Sequence, residues 1–109
     1  MKLLFSHNET PCIIITMEVD DLAIELEVAN ALKLGHLMMG TAESCTGGKI
    51  ASMITSMAGS SEYFTGGVVA YCNEVKHHVL GVSEADLNTF GAVSQPVVEQ
   101  MARGTMRVL

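Results

Sequence analysis

Six consecutive residues, Glu43-Ser44-Cys45-Thr46-Gly47-Gly48, concentrate the groups of this chain best suited to covalent or anion-binding chemistry. Ser44, Cys45 and Thr46 stand side by side as nucleophiles or hydrogen-bond donors. Gly47 and Gly48 carry no side chain, so a ligand can approach their backbone closely. The run follows a short apolar stretch at 36–42 that reads as a strand. It precedes Ile50, Met53, Ile54 and Met57, which recur at helical spacing. A strand that feeds a helix in this way leaves the first-turn N–H groups without intrahelical partners, and the helix dipole places partial positive charge behind them. Such a place accommodates a phosphate or, beside a nucleophile, the oxyanion of an acyl-transfer intermediate. The spacing is neither that of a P-loop nor that of the G-x-S-x-G nucleophile elbow. On residues alone two readings stand: an anion or substrate site, and an ordinary strand-to-helix turn with hydroxyl caps.

The remaining reactive side chains are more scattered. Tyr71 closes a second apolar run at 66–71, and Lys76 lies in the helix expected after it. By themselves these read as a packed tyrosine and a solvated lysine. Cys45 is the rival nucleophile to Ser44, whereas Cys72 reads as a small buried apolar residue. Cys12, Cys45 and Cys72 are odd in number and lack a C-x-x-C spacing, which gives neither a disulfide framework nor a zinc signature and points to a reducing compartment, the cytoplasm. His77 and His78 are adjacent, so on a helix they diverge by about 100°. With His7 and His36 apart from any motif, no metal site is expected.

Helices and buried strands must position these groups. Leu22, Leu26, Ala29 and Leu32 predict a helix over 20–34, with Glu18, Asp20 and Asp21 at its start, Lys33 in its last turn and Gly35 as its stop. After the helix carrying Ile50, residues 58–61 read as a turn. Asn73 is expected to cap a helix running to Leu80 and stopped by Gly81. Ser83 and Asp86 resemble a capping box for a short helix ending near Gly91. Ser94 is expected to cap a last helix that tolerates Pro96 in its first turn and carries Val98, Met101, Ala102, Thr105 and Val108 as its apolar stripe. Alternating helices and strands argue for α/β layers.

Composition bounds the rest. A chain of 109 residues, 49% apolar and 17% charged, suits one globular domain. Six basic against twelve acidic residues give a net charge of −6, which lacks the footprint of a nucleic-acid binder and ill suits an anionic membrane surface. No apolar run approaches the roughly 20 residues that span a bilayer. Residues 1–16 are broken by a polar stretch from Ser6 to Pro11 and read as an extension before a domain at 17–109, with an edge strand at 12–16 as the rival.

Several segments in register carry a resemblance. Thr41-Ala42-Glu43-Ser44-Cys45-Thr46-Gly47-Gly48, Ala58-Gly59-Ser60-Ser61, the run from Gly66 to Lys76, Leu80-Gly81-Val82 and Gly91-Ala92-Val93-Ser94 resemble the CinA C-terminal domain family of competence/damage-inducible proteins. That family includes nicotinamide-nucleotide amidohydrolases. The resemblance implies a layered α/β/α fold with a central, mainly parallel sheet, incomplete in this chain. It implies hydrolysis of nicotinamide mononucleotide to nicotinate mononucleotide and ammonia, without cofactor or metal. Ser44 is then the nucleophile, Lys76 the base and Tyr71 the proton relay. Glu43, Cys45, Thr46, Gly47, Gly48, Asn73 and Ser94 are the implied substrate-binding residues. The expected partners are this small molecule and further copies of the chain in a homo-oligomer. Family domains continue beyond the point reached by Leu109, so the alternative expectation is an inactive nucleotide-binding or oligomerisation module.

Overall fold

Val28, Ala29 and Leu32 fall on one face of a helix and are buried, and they anchor α1 (Ala23–Gly35). The structure, a computed structural model, describes residues 2–7, 10–16 and 23–109. The expected acidic start at Glu18, Asp20 and Asp21, and Leu22 with it, lies outside the described residues. Leu26 is exposed, so the buried stripe is Glu25, Val28, Ala29 and Leu32 rather than the one through Leu26. α1 runs through Gly35, and His36 takes the left-handed conformation at φ 51°. Leu37 N–H donates to the Leu32 carbonyl at 2.9 Å and His36 N–H to the Lys33 carbonyl at 3.2 Å, the two bonds of a Schellman ending. That ending delays the next strand, which starts two residues later than the sequence suggested.

The sheet has the order β2-β1-β3-β4, with β1 at Lys2–His7, β2 at Thr10–Thr16, β3 at Met38–Glu43 and β4 at Phe64–Val69. β3 and β4 are parallel, with Glu43 opposite Val69. β1 runs antiparallel to both β2 and β3. The segment read as an extension thus supplies two strands, and the sheet is mixed, with its parallel pair at the end that bears the Ser44 run.

Side chains alternate across β3. Met39, Thr41 and Glu43 are buried on one face. There Met39 joins Val28, Ala29, Leu32, Ile50, Ile54 and Tyr63 in one core beneath α1 and α2 (Lys49–Thr55). Ala42 and Val68 pack against a second core of Ala70, Leu80, Val82, Leu87, Val97 and Met101. That core is roofed by α3 (Asn73–His78), α4 (Glu84–Phe90) and α5 (Gln95–Val108). Two apolar clusters on opposite faces of one sheet make the layered α/β/α arrangement.

The capping signals in the sequence are realised only in part. Ser83 caps α4, its Oγ accepting from Asp86 N–H at 3.2 Å. Cys72, not Asn73, is the N-cap of α3, and Asn73 is its first helical residue. Ser94 is the N-cap of α5, but its hydroxyl donates to the Gly91 carbonyl at 2.8 Å instead of receiving an α5 N–H. On α5 the core takes Val97, Met101, Ala102 and Thr105, while Val108 is exposed. The stripe is rotated from the expected one, and Val98 is freed from the core.

Candidate functional site

β3 ends at Glu43, and Ser44 begins a five-residue turn into α2. Gly47 and Gly48 sit at φ 62° and 100°, values that a side-chain-bearing residue reaches only under strain. Gly47 N–H donates to the Ser44 carbonyl at 3.0 Å and Lys49 N–H to the Thr46 carbonyl at 3.1 Å. The Glu43 side chain folds beneath this turn and is buried. Its Oε1 accepts from Ile50 N–H at 2.7 Å and from the Thr46 hydroxyl at 2.8 Å. Its Oε2 accepts from Ala51 N–H at 3.0 Å. The open helix N-terminus expected from the sequence is therefore closed from within, because an internal carboxylate satisfies the first-turn donors. Among the described residues the N–H groups of Cys45, Thr46 and Gly48 have no backbone acceptor.

A cavity of about 410 Å³ opens beside the turn. Ala42, Glu43, Ser44, Cys45, Thr46 and Ile50 form one wall. The other is the approach to α5 and its first turns: Ala92, Val93, Ser94, Gln95, Val98 and Met101. The structure thus brings Ser44, Cys45, Thr46 and Glu43 together with Ser94, although Ser94 is fifty residues away in sequence. Ile50, Val98 and Met101 give the cavity an apolar lining that the sequence reading had assigned wholly to the core. Val97 and Val98 point about 100° apart on α5, and it is Val97 that enters the core while Val98 lines the cavity.

Tyr71, Asn73, Lys76, Gly47 and Gly48 do not border this cavity. Tyr71 and Lys76 nevertheless belong to the same edge of the sheet. Ala70 N–H donates to the Glu43 carbonyl at 2.7 Å, so Ser44 and Tyr71 leave the carboxyl ends of neighbouring parallel strands. That edge is where open α/β sheets bind ligands. Tyr71 is 72% exposed, because β4 ends at Val69 and leaves it two residues beyond the ladder. Cys72 is exposed for the same reason, contrary to the buried role expected of it. Lys76 is buried, at 2% exposure, and its Nζ donates to the Tyr71 carbonyl at 3.1 Å. Among the described residues no carboxylate lies within ion-pair distance of that amine. The lysine and the tyrosine are therefore joined through Tyr71 backbone, not through its phenol.

Known proteins agree on one family. The CinA C-terminal domain matches over residues 21–109. A CinA-like protein of Picosynechococcus sp. is 46% identical over 90 residues, which cover 83% of this chain and 22% of the relative. A nicotinamide-nucleotide amidohydrolase PncC of Enterobacter agglomerans is 49% identical over 83 residues, covering 76% of this chain and 51% of that protein. The chain thus spans about a fifth of the CinA-like relative and about half of the amidohydrolase. Among solved structures, a competence-damaged protein (CinA) superfamily protein from Escherichia coli aligns with TM-score 0.79 at 30% identity over 86% of this chain and 56% of the other. A competence/damage-inducible protein from Agrobacterium tumefaciens aligns with TM-score 0.78 at 39% identity over 86% of this chain and 58% of the other. No helix among the described residues is long and apolar enough to cross a membrane.

Proposed function

We propose, from the premise that this chain belongs to the CinA C-terminal domain family, that its cavity hydrolyses the carboxamide of a pyridine mononucleotide through Ser44. The observation that carries this reading is the turn itself. A serine at the carboxyl edge of a parallel strand borders a cavity, beside peptide N–H groups that have no backbone acceptor among the described residues, one strand away from a buried amine. The relative named as an amidohydrolase supports it by similarity.

In this mechanism Ser44 Oγ attacks the carboxamide carbon while its proton passes toward Lys76 Nζ, with Tyr71 as relay. The tetrahedral oxyanion takes hydrogen bonds from Cys45 and Thr46 N–H, each such donor being worth about 2.7–4 kcal/mol. The C–N bond breaks, the amine takes up the proton and leaves as ammonia, and water then hydrolyses the acyl-serine to the carboxylic acid. The apolar side of the cavity at Ile50, Val98 and Met101 suits the flat ring, and Ser94 the polar end of the substrate. The proposal includes a cytoplasmic homo-oligomer. Among the described residues β4 is the last strand of the sheet order, and Val69 and Tyr71 are exposed on and beside it, a surface that supports pairing with a second copy.

Incubation with nicotinamide mononucleotide, with ammonia and nicotinate mononucleotide measured, is the test. Turnover is expected, and Ser44→Ala abolishes it without lowering the melting temperature. Full turnover by Ser44→Ala overturns the serine mechanism. A second reading draws on the absence of Tyr71 and Lys76 from the cavity wall: a module that binds the nucleotide without cleaving it. The same incubation separates the two, since binding alone raises the melting temperature and releases no ammonia.

A further inference from the structure

We propose that Glu43 is a positioning residue, which holds the Ser44 turn from inside; the inference rests on the amidohydrolase reading of the cavity. A helix N-terminus beside a nucleophile would ordinarily offer its N–H groups to an incoming anion. Here the protein supplies that anion itself. Glu43 takes Ile50 N–H on one oxygen and Ala51 N–H on the other, and it also receives the Thr46 hydroxyl. One carboxylate therefore ties the middle of the turn, at Thr46, to the helix beyond it, at Ile50 and Ala51.

Two consequences follow from that bonding. The first is geometric. Ser44 is bonded in sequence to Glu43 and lies between it and Thr46, so the spread of Ser44, Cys45 and Thr46 along the cavity wall is set by a side chain with no free oxygen for substrate. The second is chemical. Glu43 already occupies the Ile50 and Ala51 N–H groups, so the donors left at the turn for a substrate carbonyl, and for the oxyanion formed from it, are the peptide N–H groups of Cys45 and Thr46.

Glu43→Gln tests this with almost no change of shape. Glutamine keeps one acceptor oxygen for Ile50 and Thr46 but presents an NH₂ group to Ala51 N–H, two donors face to face. The steady-state expectation is a fall in kcat of about tenfold or more with KM little changed, since misplacing a nucleophile by about 1 Å can cost roughly 100-fold. A rise in KM with unchanged kcat would make Glu43 a substrate ligand and overturn the positioning role. The second measurement needs no turnover: the rate at which a thiol reagent labels Cys45 in the turn, relative to Cys72 on the neighbouring loop, both thiols being exposed. Glu43→Gln is expected to change that ratio several-fold. An unchanged ratio overturns the proposal. Should the wild type release no ammonia, the amidohydrolase reading fails while the labelling ratio still decides on Glu43. If Glu43→Gln does not fold, Thr46→Val removes one of the three bonds at the surface and is read by the same ratio, with the same outcomes.

Discussion

Replacing Lys76 by methionine separates what this side chain does for the fold from what it does for the chemistry. Methionine keeps the long unbranched stem and removes the amine. The loss is one hydrogen bond, Nζ to the Tyr71 carbonyl at 3.1 Å. A hydrogen bond is worth about 0.5–1.5 kcal/mol net, and the freed carbonyl belongs to an exposed residue that water can reach. The gain is relief from holding an amine at 2% exposure with no carboxylate in reach among the described residues. Burying an amine whose remaining hydrogen-bonding capacity has no partner among the described residues costs about 1–3 kcal/mol. The gain therefore equals or exceeds the loss, and Lys76→Met is expected to match or exceed the wild type by about 1 kcal/mol, or roughly 4–8 °C in melting temperature for a domain of this size. Turnover of nicotinamide mononucleotide is expected to fall at the same time by about 100-fold or more, the typical share of a general base. Differential scanning calorimetry and the ammonia assay, run on one preparation, read both. A melting temperature lowered by more than about 4 °C would show that the amine supports the fold. A stable variant with full turnover would remove Lys76 from the mechanism.

Two further substitutions probe the cores on which the site rests. The Tyr63 hydroxyl is buried without a partner among the described residues, so Tyr63→Phe is expected to raise stability by about 1 kcal/mol in urea unfolding. Lys33 Nζ, 5.8 Å from the ring centroid, keeps its aromatic face in the variant. Burial, with the charge of Glu62 second, holds the Tyr63 pKa above its usual 10.0. The native state therefore keeps a proton that the unfolded chain gives up, and wild-type stability falls as pH rises above about 10; Tyr63→Phe loses that part of the fall, and an identical alkaline slope would refute the linkage. A Cβ on Gly104 would run into the Leu80 carbonyl and the backbone behind it, so Gly104→Ala is expected to cost about 2 kcal/mol or more, and a cost under about 0.5 would contradict the packing of α5 on the segment between α3 and α4.

Some of this was legible in the residues, and the reasons for the rest are physical. The turn after β3 could be placed because Gly47-Gly48 and the period through Ile50 and Ile54 are local signals. The role of Glu43 could not, since a carboxylate at the end of a strand reads equally as ligand, cap or surface charge until its neighbours fold over it. The end of β4 was misjudged by two residues because Ala70 and Tyr71 continue an apolar run, while the ladder stops where Ala70 N–H crosses to Glu43. That shift alone moved Tyr71 and Cys72 from interior to surface. The second cavity wall, Ala92 to Met101, depends on α5 returning to the sheet beside β3, a contact between segments about fifty residues apart that no local pattern encodes.

Two costly features of the fold lie at one edge. Glu43 places a buried carboxylate under a helix end, and Lys76 buries an amine with no counter-charge among the described residues. Each is a poor choice for stability alone, since apolar residues of similar volume would fill both places at lower desolvation cost. Glu43 recovers its cost through three hydrogen bonds and is locally explained. Lys76 has one, to a carbonyl on the loop that follows the neighbouring strand, and is not. Departures from local consistency tend to cluster at functional sites. The uncompensated amine, rather than the better-satisfied carboxylate, is therefore where the case for catalysis at this edge is decided.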